Sequence, residues 1–435
     1  MAIITIMAQL HAESKQPDHS LSATLRSLSR NTGTLLVSNA GSALLSFVLS
    51  VLIGRVLGKD GLGIYSASLA WVFPLSLIAD FGISTLMTRE VARDRSLEPD
   101  YMRLATVSRV WLGGGLMLIL ILAAPLLTSD SHVIDGLRIS APLILITPLF
   151  GNYTAIFRAR QQMWPIPWLN LGMLVIQVAL TFAVFAAGGS VIIALIVNTL
   201  TSAGQLIAAW YVWQRWFTTT EGQSNNIALQ LRAILVQAWP FAVAGILAAI
   251  QARLAPIMLE KLTNTASVGY YAASSRFVEA GRTIPNALFG ALFPMLAMLV
   301  SQPAEMKRTF QKVMLGLGAF GAVAAIGTTL FAPLILRLTY GADFGGASST
   351  LQAVMWGLLP SLLRAGLTLY WYAQKREQLV NWVIVIMLVV QIGLSIWLVP
   401  SQQAYGAALA VLVSETVGFA LLLIPLRWVG NGDQT

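Results

Sequence analysis

The chain has no cysteine and only three histidines in 435 residues. The first absence excludes disulfides, thiolate metal sites and a cysteine nucleophile. His11 and His19 lie near the amino terminus and His132 lies beside a predicted loop, so an imidazole-based metal centre has too few donors. Charge is scarce as well. Asp, Glu, Lys and Arg make up 10% of the residues, against about 25% in soluble domains. There is no P-loop, no HExxH and no connection long enough for a catalytic or ATP-binding domain, so ATP hydrolysis by this chain is excluded as its energy source. The opening MAIITIMAQLHAESKQ lacks a leading basic region, which argues against a signal peptide; Met1 to Arg30 reads as a mobile cytoplasmic tail.

What fills the chain instead is apolar. Hydrophobic residues make up 57% of it, and the mean hydropathy is +0.73. Runs of roughly 20 apolar residues recur along the whole length, each long enough to cross a hydrocarbon layer of about 30 Å. Membrane β-strands would be about 10 residues long with alternating polarity, a pattern that is missing. The expected fold class is therefore an all-α polytopic membrane protein of about 12 transmembrane helices. The predicted spans are 33–54, 63–86, 105–127, 138–159, 166–187, 190–214, 234–259, 267–300, 313–338, 350–373, 379–399 and 405–427. Turn and charge signals such as GRVLGKDG, REVARDRSLEPD and SQPAEMKR separate them.

The formal charge is +9, and its distribution carries an orientation. Of the 27 Lys and Arg, five fall on one side of the predicted spans (Arg55, Lys59, Arg138, Lys261, Arg337) and four within spans (Arg253, Arg276, Arg282, Arg364). The other eighteen, Arg109 among them, fall at the opposite tails, loops and helix ends. Excess basic residues mark the cytoplasmic side. Both termini are expected in the cytoplasm of a multi-pass protein of the inner (plasma) membrane, and the surplus charge is topology rather than nucleic-acid binding.

The chain also matches itself. GIYSAS (63–68) overlays GYYAAS (269–274) at an offset of 206, and APLL (124–127) overlays APLI (332–335) at 208. WLNLGMLVIQ (168–177) overlays WVIVIMLVVQ (382–391) at 214. Matches in this order, with an offset that drifts only by loop insertions, give two units of six helices. Six is even, so both units enter the membrane in the same sense, related by a pseudo-twofold along the membrane normal, as in transporters whose substrate path lies between halves. The expected organisation is a cytoplasmic tail (1–32), a six-helix lobe (33–216), a cytoplasmic linker (217–229), a second six-helix lobe (230–428) and a short cytoplasmic tail (429–435).

The halves differ in charge. Under these offsets Arg253, Arg276, Glu279 and Arg282 align with Phe47, Ala70, Phe73 and Ser76, and Arg364 aligns with Phe150. An arginine at mid-bilayer costs about 2.5–3.5 kcal/mol on the insertion scale, so four of them in one half are expected to face a watery cavity. Arg276, Glu279 and Arg282 lie one helical turn apart in SSRFVEAGRT, which also allows a merely self-neutralised cluster. Arg276, Arg282, Arg253 and Arg364 together form a cationic wall suited to phosphate, which guanidinium holds through paired hydrogen bonds. Asp80, Glu279 and Glu415 are the candidate cation-coupling carboxylates; Asp80 in LIADFGIS could equally serve a helix break. No catalytic constellation appears and no cofactor is implied beyond Na⁺ or H⁺ as coupling ion.

The segment IGRVLGKDGLGIYSASLAWVFPLSLIADFGISTLMTREVARD (53–94) resembles the first helices of polysaccharide-biosynthesis flippases, of the lipid-linked oligosaccharide or O-antigen type. These belong to the multidrug/oligosaccharidyl-lipid/polysaccharide exporter superfamily. Arg55, Leu57-Gly58, Gly63-Ile64-Tyr65, Asp80-Phe81-Gly82 and Arg89-Glu90 carry the likeness, and the two-lobe plan extends it over nearly the whole chain. The resemblance implies a polyprenyl-diphosphate-linked oligosaccharide flipped across the membrane by cation-coupled alternating access, for exopolysaccharide or lipopolysaccharide assembly. It also implies membrane lipids as surroundings and a polysaccharide polymerase and glycosyltransferases as partners. Such proteins often place an acid two residues after the seventh-helix arginine; here Arg253 is followed by Leu254 and Ala255. Two alternatives are a cation-coupled multidrug exporter, whose pocket should be acidic and aromatic, and a membrane glycosyltransferase or polymerase, which needs larger external loops.

Overall fold

A computed structural model describes residues 19–217, 227–298 and 302–432. The middle of the expected linker and the outermost parts of both tails lie outside the described residues. Twelve α-helices follow one another: α1 (His19–Asp80), α2 (Ile83–Arg93), α3 (Glu98–Leu127), α4 (Ser131–Ser140), α5 (Leu143–Ala159), α6 (Pro165–Ala186), α7 (Val191–Trp216), α8 (Ile227–Leu262), α9 (Thr265–Met298), α10 (Pro303–Thr339), α11 (Ser348–Ala373) and α12 (Glu377–Gly432). There is no strand among the described residues. Helices satisfy every backbone group within one segment, which lipid demands. Helix already begins at His19, inside the stretch expected as tail.

Among the described residues nine helices are long and apolar enough to cross a membrane, and the number of crossings stays an expectation of about 12. Two of the nine, Ser38–Arg93 and Glu377–Ile424, hold 56 and 48 residues. Unbroken they would run about 84 and 72 Å at 1.5 Å per residue. Non-helical residues divide them, Gly58 (φ 68°, ψ −170°) in α1 and Gln403 (φ 50°, ψ −128°) in α12, where the predicted breaks fall. The Gly58 conformation is one that side chains with a Cβ scarcely enter. Two further breaks lie inside predicted spans: Phe81 and Gly82 (φ 48° and 72°) separate α1 from α2, and Ala141-Pro142 separates α4 from α5. Trp111, Leu126, Trp168, Leu315 and Trp397 stand largely exposed, an apolar surface that lipid covers and water would not tolerate.

Where the hydrophobic cores sit decides the shape of the interior. Near Gly58, core residues of both lobes merge. Leu49, Ile53, Leu62 and Tyr65 pack with Ala273, Leu336, Tyr340 and Phe344 in one cluster, and Ala67 and Val72 join Ala255, Leu259 and Val268 in another. At the opposite end, where Arg160 lies, the cores separate. Ile83, Leu86, Ile156 and Phe157 form a cluster of the first lobe that, among the described residues, takes in Ile234, Leu235 and Ala238 from α8. Met306, Phe310, Trp371 and Val380 form one made wholly of the second. Among the described residues the two lobes thus merge their cores at the Gly58 end, whereas at the other end α8 is the second-lobe element that joins the first-lobe core.

Two duplicated glycines seal the convergence. A Cβ placed on Gly63 would lie 1.8 Å from the Thr265 carbonyl oxygen, and one on Gly269 would lie 1.9 Å from the Lys59 carbonyl oxygen. Each glycine therefore lets its helix touch the backbone of the other lobe, and the two are the aligned glycines of the repeat.

Candidate functional site

The tertiary structure gathers all four intramembrane arginines with two carboxylates on the second lobe. On α9, Arg276 donates to Glu279 at 2.6 Å, one turn away. Arg282, further along the same helix, donates to Ser361 Oγ at 2.9 Å and lies 3.8 Å from Glu415. Arg364 on α11 holds Glu415 on α12 in a two-pronged pair at 2.6 and 3.3 Å. The partner that Arg364 lacks within its own sequence neighbourhood is thus supplied 51 residues away. Arg253 on α8 lies with its guanidinium 5.0 Å from the centre of the Phe73 ring of the first lobe. Its buried Nε has no hydrogen-bond partner.

Four guanidinium groups against two carboxylates leave a formal excess of two positive charges. Their availability is graded. The Arg282 side chain is 41% exposed, Arg276 26% and Arg364 19%, so Arg282 and Arg276 are the members an incoming anion meets most readily. Across from them, a cavity of about 160 Å³ is bounded by Arg276 of the second lobe and by Ser46, Ser50, Tyr65, Gln177 and Asn198 of the first. None of these first-lobe residues is charged, so the cavity has a cationic side and a neutral polar side.

Asp80 belongs to a different arrangement. Its Oδ1 accepts from Ser84 Oγ at 2.6 Å and from Arg109. Arg109 also donates to Asn152 and to Ser84, and Asn152 donates to Thr106 at 3.1 Å. This network ties the end of α1 to α2, α3 and α5. The Arg109 side chain is fully buried, which corrects its place among the basic residues of helix ends and loops. The sequence offered no local sign of this, because Arg109 stands 29 residues from Asp80 and 43 from Asn152. The break after Asp80 has its own cause: a Cβ on Gly82 would lie 2.7 Å from the Ala242 backbone nitrogen, so the chain turns there to let α8 approach. A second buried pair, Glu98 with Arg160 at 2.7 Å, receives a 3.3 Å bond from Trp213 Nε1 and joins α3, α5 and α7 at the end opposite Gly58.

Sequence reasoning overlooked the neutral side of this cavity and the carboxamides next to it. Gln177 entered only as a match within the repeat, and Asn170, Asn198 and Gln205 were not singled out. Their signal was present in the same alignment: at the offset of 214, Asn170, Asn198 and Gln205 face Ile384, Leu412 and Phe419.

Glu415 offers a direct stability check. In Glu415→Gln the amide still accepts a hydrogen bond but no longer neutralises Arg364 and Arg282, leaving partly buried charge uncompensated. The expected cost is about 1–3 kcal/mol, read as a lowered thermal midpoint of the detergent-solubilised protein; an unchanged midpoint would show that the carboxylate charge is immaterial to the fold.

Solved transporter structures share this architecture. An inward-facing multidrug resistance MATE family transporter of the MOP superfamily matches with a TM-score of 0.74 at 14% identity, over 91% of this chain and 96% of its own. The lipid II flippase MurJ in an inward closed conformation matches with a TM-score of 0.73 at 17% identity, over 90% of this chain and 87% of its own. Among proteins known by sequence, the capsular polysaccharide biosynthesis protein CapF of Staphylococcus aureus is 20% identical over 399 residues, 89% of this chain and 96% of its own. Residues 28–300, well over half the chain, match the polysaccharide biosynthesis protein family, and the chain, a two-lobed membrane transporter of the flippase type, belongs to that family.

Proposed function

We propose that the protein flips a polyprenyl-diphosphate-linked oligosaccharide from the inner to the outer leaflet of the plasma membrane by cation-coupled alternating access of its two lobes. The observation that carries this reading is the cluster of Arg253, Arg276, Arg282 and Arg364, gathered on one lobe, with Arg276 bordering a cavity whose other side is uncharged. A diphosphate supplies the matching charge, and guanidinium groups bind it with directed hydrogen bonds. The prenyl chain stays in lipid and no bond is made or broken, so the protein works as a transporter rather than an enzyme.

The excess of Lys and Arg at the Arg160 end puts that end, with both termini, in the cytoplasm. The shared cores and the Gly63–Gly269 contact then close the outer end, and the end where α8 alone of the described second-lobe elements joins the first-lobe core lies on the cytoplasmic side from which the lipid enters. Glu279 and Glu415 compete with phosphate for the same guanidinium groups. A cation or proton taken up by either carboxylate therefore changes phosphate affinity, and the coupling is reciprocal. Asp80 is the third coupling candidate, held by Arg109. Glycosyltransferases supply such a lipid and a polymerase consumes it, which makes both the expected partners. An export pocket for cationic drugs would suffer from the same surplus guanidinium, and the likeness to multidrug transporters is one of fold.

The test is Arg276→Ala with Arg282→Ala in cells that depend on this chain for a surface polysaccharide. Each charged hydrogen bond to phosphate contributes about 1.5–3 kcal/mol. Surface glycan should fall at least about tenfold while the lipid-linked precursor accumulates inside and the variant remains in the membrane. Undiminished export would sink the phosphate-clamp reading.

A further inference from the structure

The first lobe carries a row of carboxamides that the phosphate clamp leaves unused. Gln177 Nε2 donates to Asn198 Oδ1 at 2.7 Å, and Gln205 Nε2 donates to Asn170 Oδ1 at 2.8 Å. Both pairs bridge α6 and α7. They are seven residues apart on each helix, so they recur on the same face of this hairpin about 10 Å apart. A carboxamide offers two donors and two lone pairs; Gln177 and Gln205 each spend a second donor bond, on Tyr65 Oη and the Leu169 carbonyl oxygen at 3.4 Å, which leaves the glutamine oxygens and the asparagine amide nitrogens free.

The free capacity meets open space. A cavity of about 190 Å³ is lined by Ser42, Asn170, Gln177, Thr201, Ser202 and Gln205 among others. It shares Leu174 and Gln177 with the cavity of about 160 Å³ that Arg276 borders, so the two adjoin in a polar row with a guanidinium at one end. Among the described residues no Asp, Glu or Lys lines either part, and Arg276 is the one charged lining residue.

Polar pairs between membrane helices can act as simple interhelical glue. The repeat argues for more. The second lobe builds the corresponding hairpin within α12 and has Ile384, Leu412 and Phe419 at the positions of Asn170, Asn198 and Gln205, with Ile384 and Phe419 packed against an apolar core. A hairpin of this kind therefore assembles with a carboxamide at only one of the four positions, the buried Gln391 that aligns with Gln177. Three of the four first-lobe carboxamides thus face apolar residues in the twin lobe, as the four second-lobe arginines face uncharged residues in the first.

Resting on the reading of the site as a lipid-diphosphate clamp, the geometry points to a glycan-binding groove on α6 and α7 that recognises the neutral sugars nearest the diphosphate. Uncharged amides and hydroxyls exchange hydrogen bonds with sugar hydroxyls without a charge of their own to neutralise. The distance between the two amide pairs suits a disaccharide, and Arg276 takes the phosphate where the first sugar is attached. Asn170 and Gln205 receive the outer sugar, while Gln177 and Asn198 receive the inner one.

The experiment measures binding of four lipids to the detergent-purified full chain: undecaprenyl diphosphate, and the same lipid carrying glucose, galactose or N-acetylglucosamine. The parent chain should bind at least one sugar-bearing lipid about tenfold more tightly than the bare one. Gln177→Leu with Gln205→Leu should abolish that increment, whereas Arg276→Ala with Arg282→Ala should weaken all four. Should the double leucine variant fail to fold, Thr201→Val with Ser202→Ala carries the same test, with the increment reduced. Equal binding of all four lipids by the parent, or equal weakening of all four by the amide variants, overturns the groove. A parent that fails to bind even the bare lipid overturns the clamp itself, and the groove falls with it.

Discussion

A Gly63→Val chain should be unable to close at the Gly58 end and should lose most of its transport. The Cβ would lie 1.8 Å from the Thr265 carbonyl oxygen and 3.1 Å from the Gly269 backbone nitrogen. Both are backbone atoms, so no side chain can swing aside and the lobes must part. Overpacking of this kind costs about 1–3 kcal/mol, which shifts an equilibrium between closed and open forms by roughly five- to 150-fold. The absence of cysteine makes the measurement clean. A single Ser50→Cys, placed in the cavity beside Arg276, should react with a membrane-impermeant maleimide from the Gly58 side much faster in the Gly63→Val background than in the parent. Equal labelling rates together with normal transport would mean that this contact does not gate the cavity. Gly269→Val should behave alike, since its Cβ meets the Lys59 carbonyl oxygen at 1.9 Å.

The same end shows how far the repeat in the sequence reaches. Arg55 and Lys261 are aligned at the offset of 206 and counted only as loop charges in the topology argument. In the structure each crosses to the opposite lobe. Arg55 donates to the carbonyl oxygens of Leu338 and Thr339 at the end of α10, and Lys261 donates to that of Leu126 at the end of α3 at 3.4 Å. A cation at the carboxyl end of a helix satisfies orphan carbonyls and complements the helix dipole. Duplication thus preserved a reciprocal pair of latches around the glycine contact. The motifs and their alignment were legible because they are local and repeated; their partners are 135 and more residues away and were not. The same division holds at the site. Four arginines in spans stood out by cost alone, but the pairing of Arg364 with Glu415 follows only from the packing of α11 on α12. The carboxamides escaped notice because Asn and Gln carry no charge to make them conspicuous in an apolar run.

Arg109→Ala should be the most destabilising single substitution at a charged residue of the first lobe. Arg109 is fully buried, and its guanidinium serves Asp80, Ser84 and Asn152 together. Removing it strands a carboxylate in a low-dielectric interior, a loss of about 3–5 kcal/mol, and breaks this network's link from α3 to α1, leaving the Asn152–Thr106 bond as its link to α5. The expected result is a large fall in the thermal midpoint and in the amount of protein that reaches the membrane. Replacing both charges, Arg109→Leu with Asp80→Asn, should recover most of that loss, because exchanging a buried pair for neutral side chains is commonly near neutral in stability. The double variant also separates the two roles open to Asp80. If its carboxylate serves only to hold Arg109, transport should return together with stability. If it is also the coupling site, the double variant should be stable and abundant in the membrane yet unable to use a cation gradient, and a single Asp80→Glu, which keeps the charge, should retain part of the activity. Stability and transport measured on the same membranes distinguish these outcomes, since a purely structural Asp80 predicts that the two quantities rise and fall together.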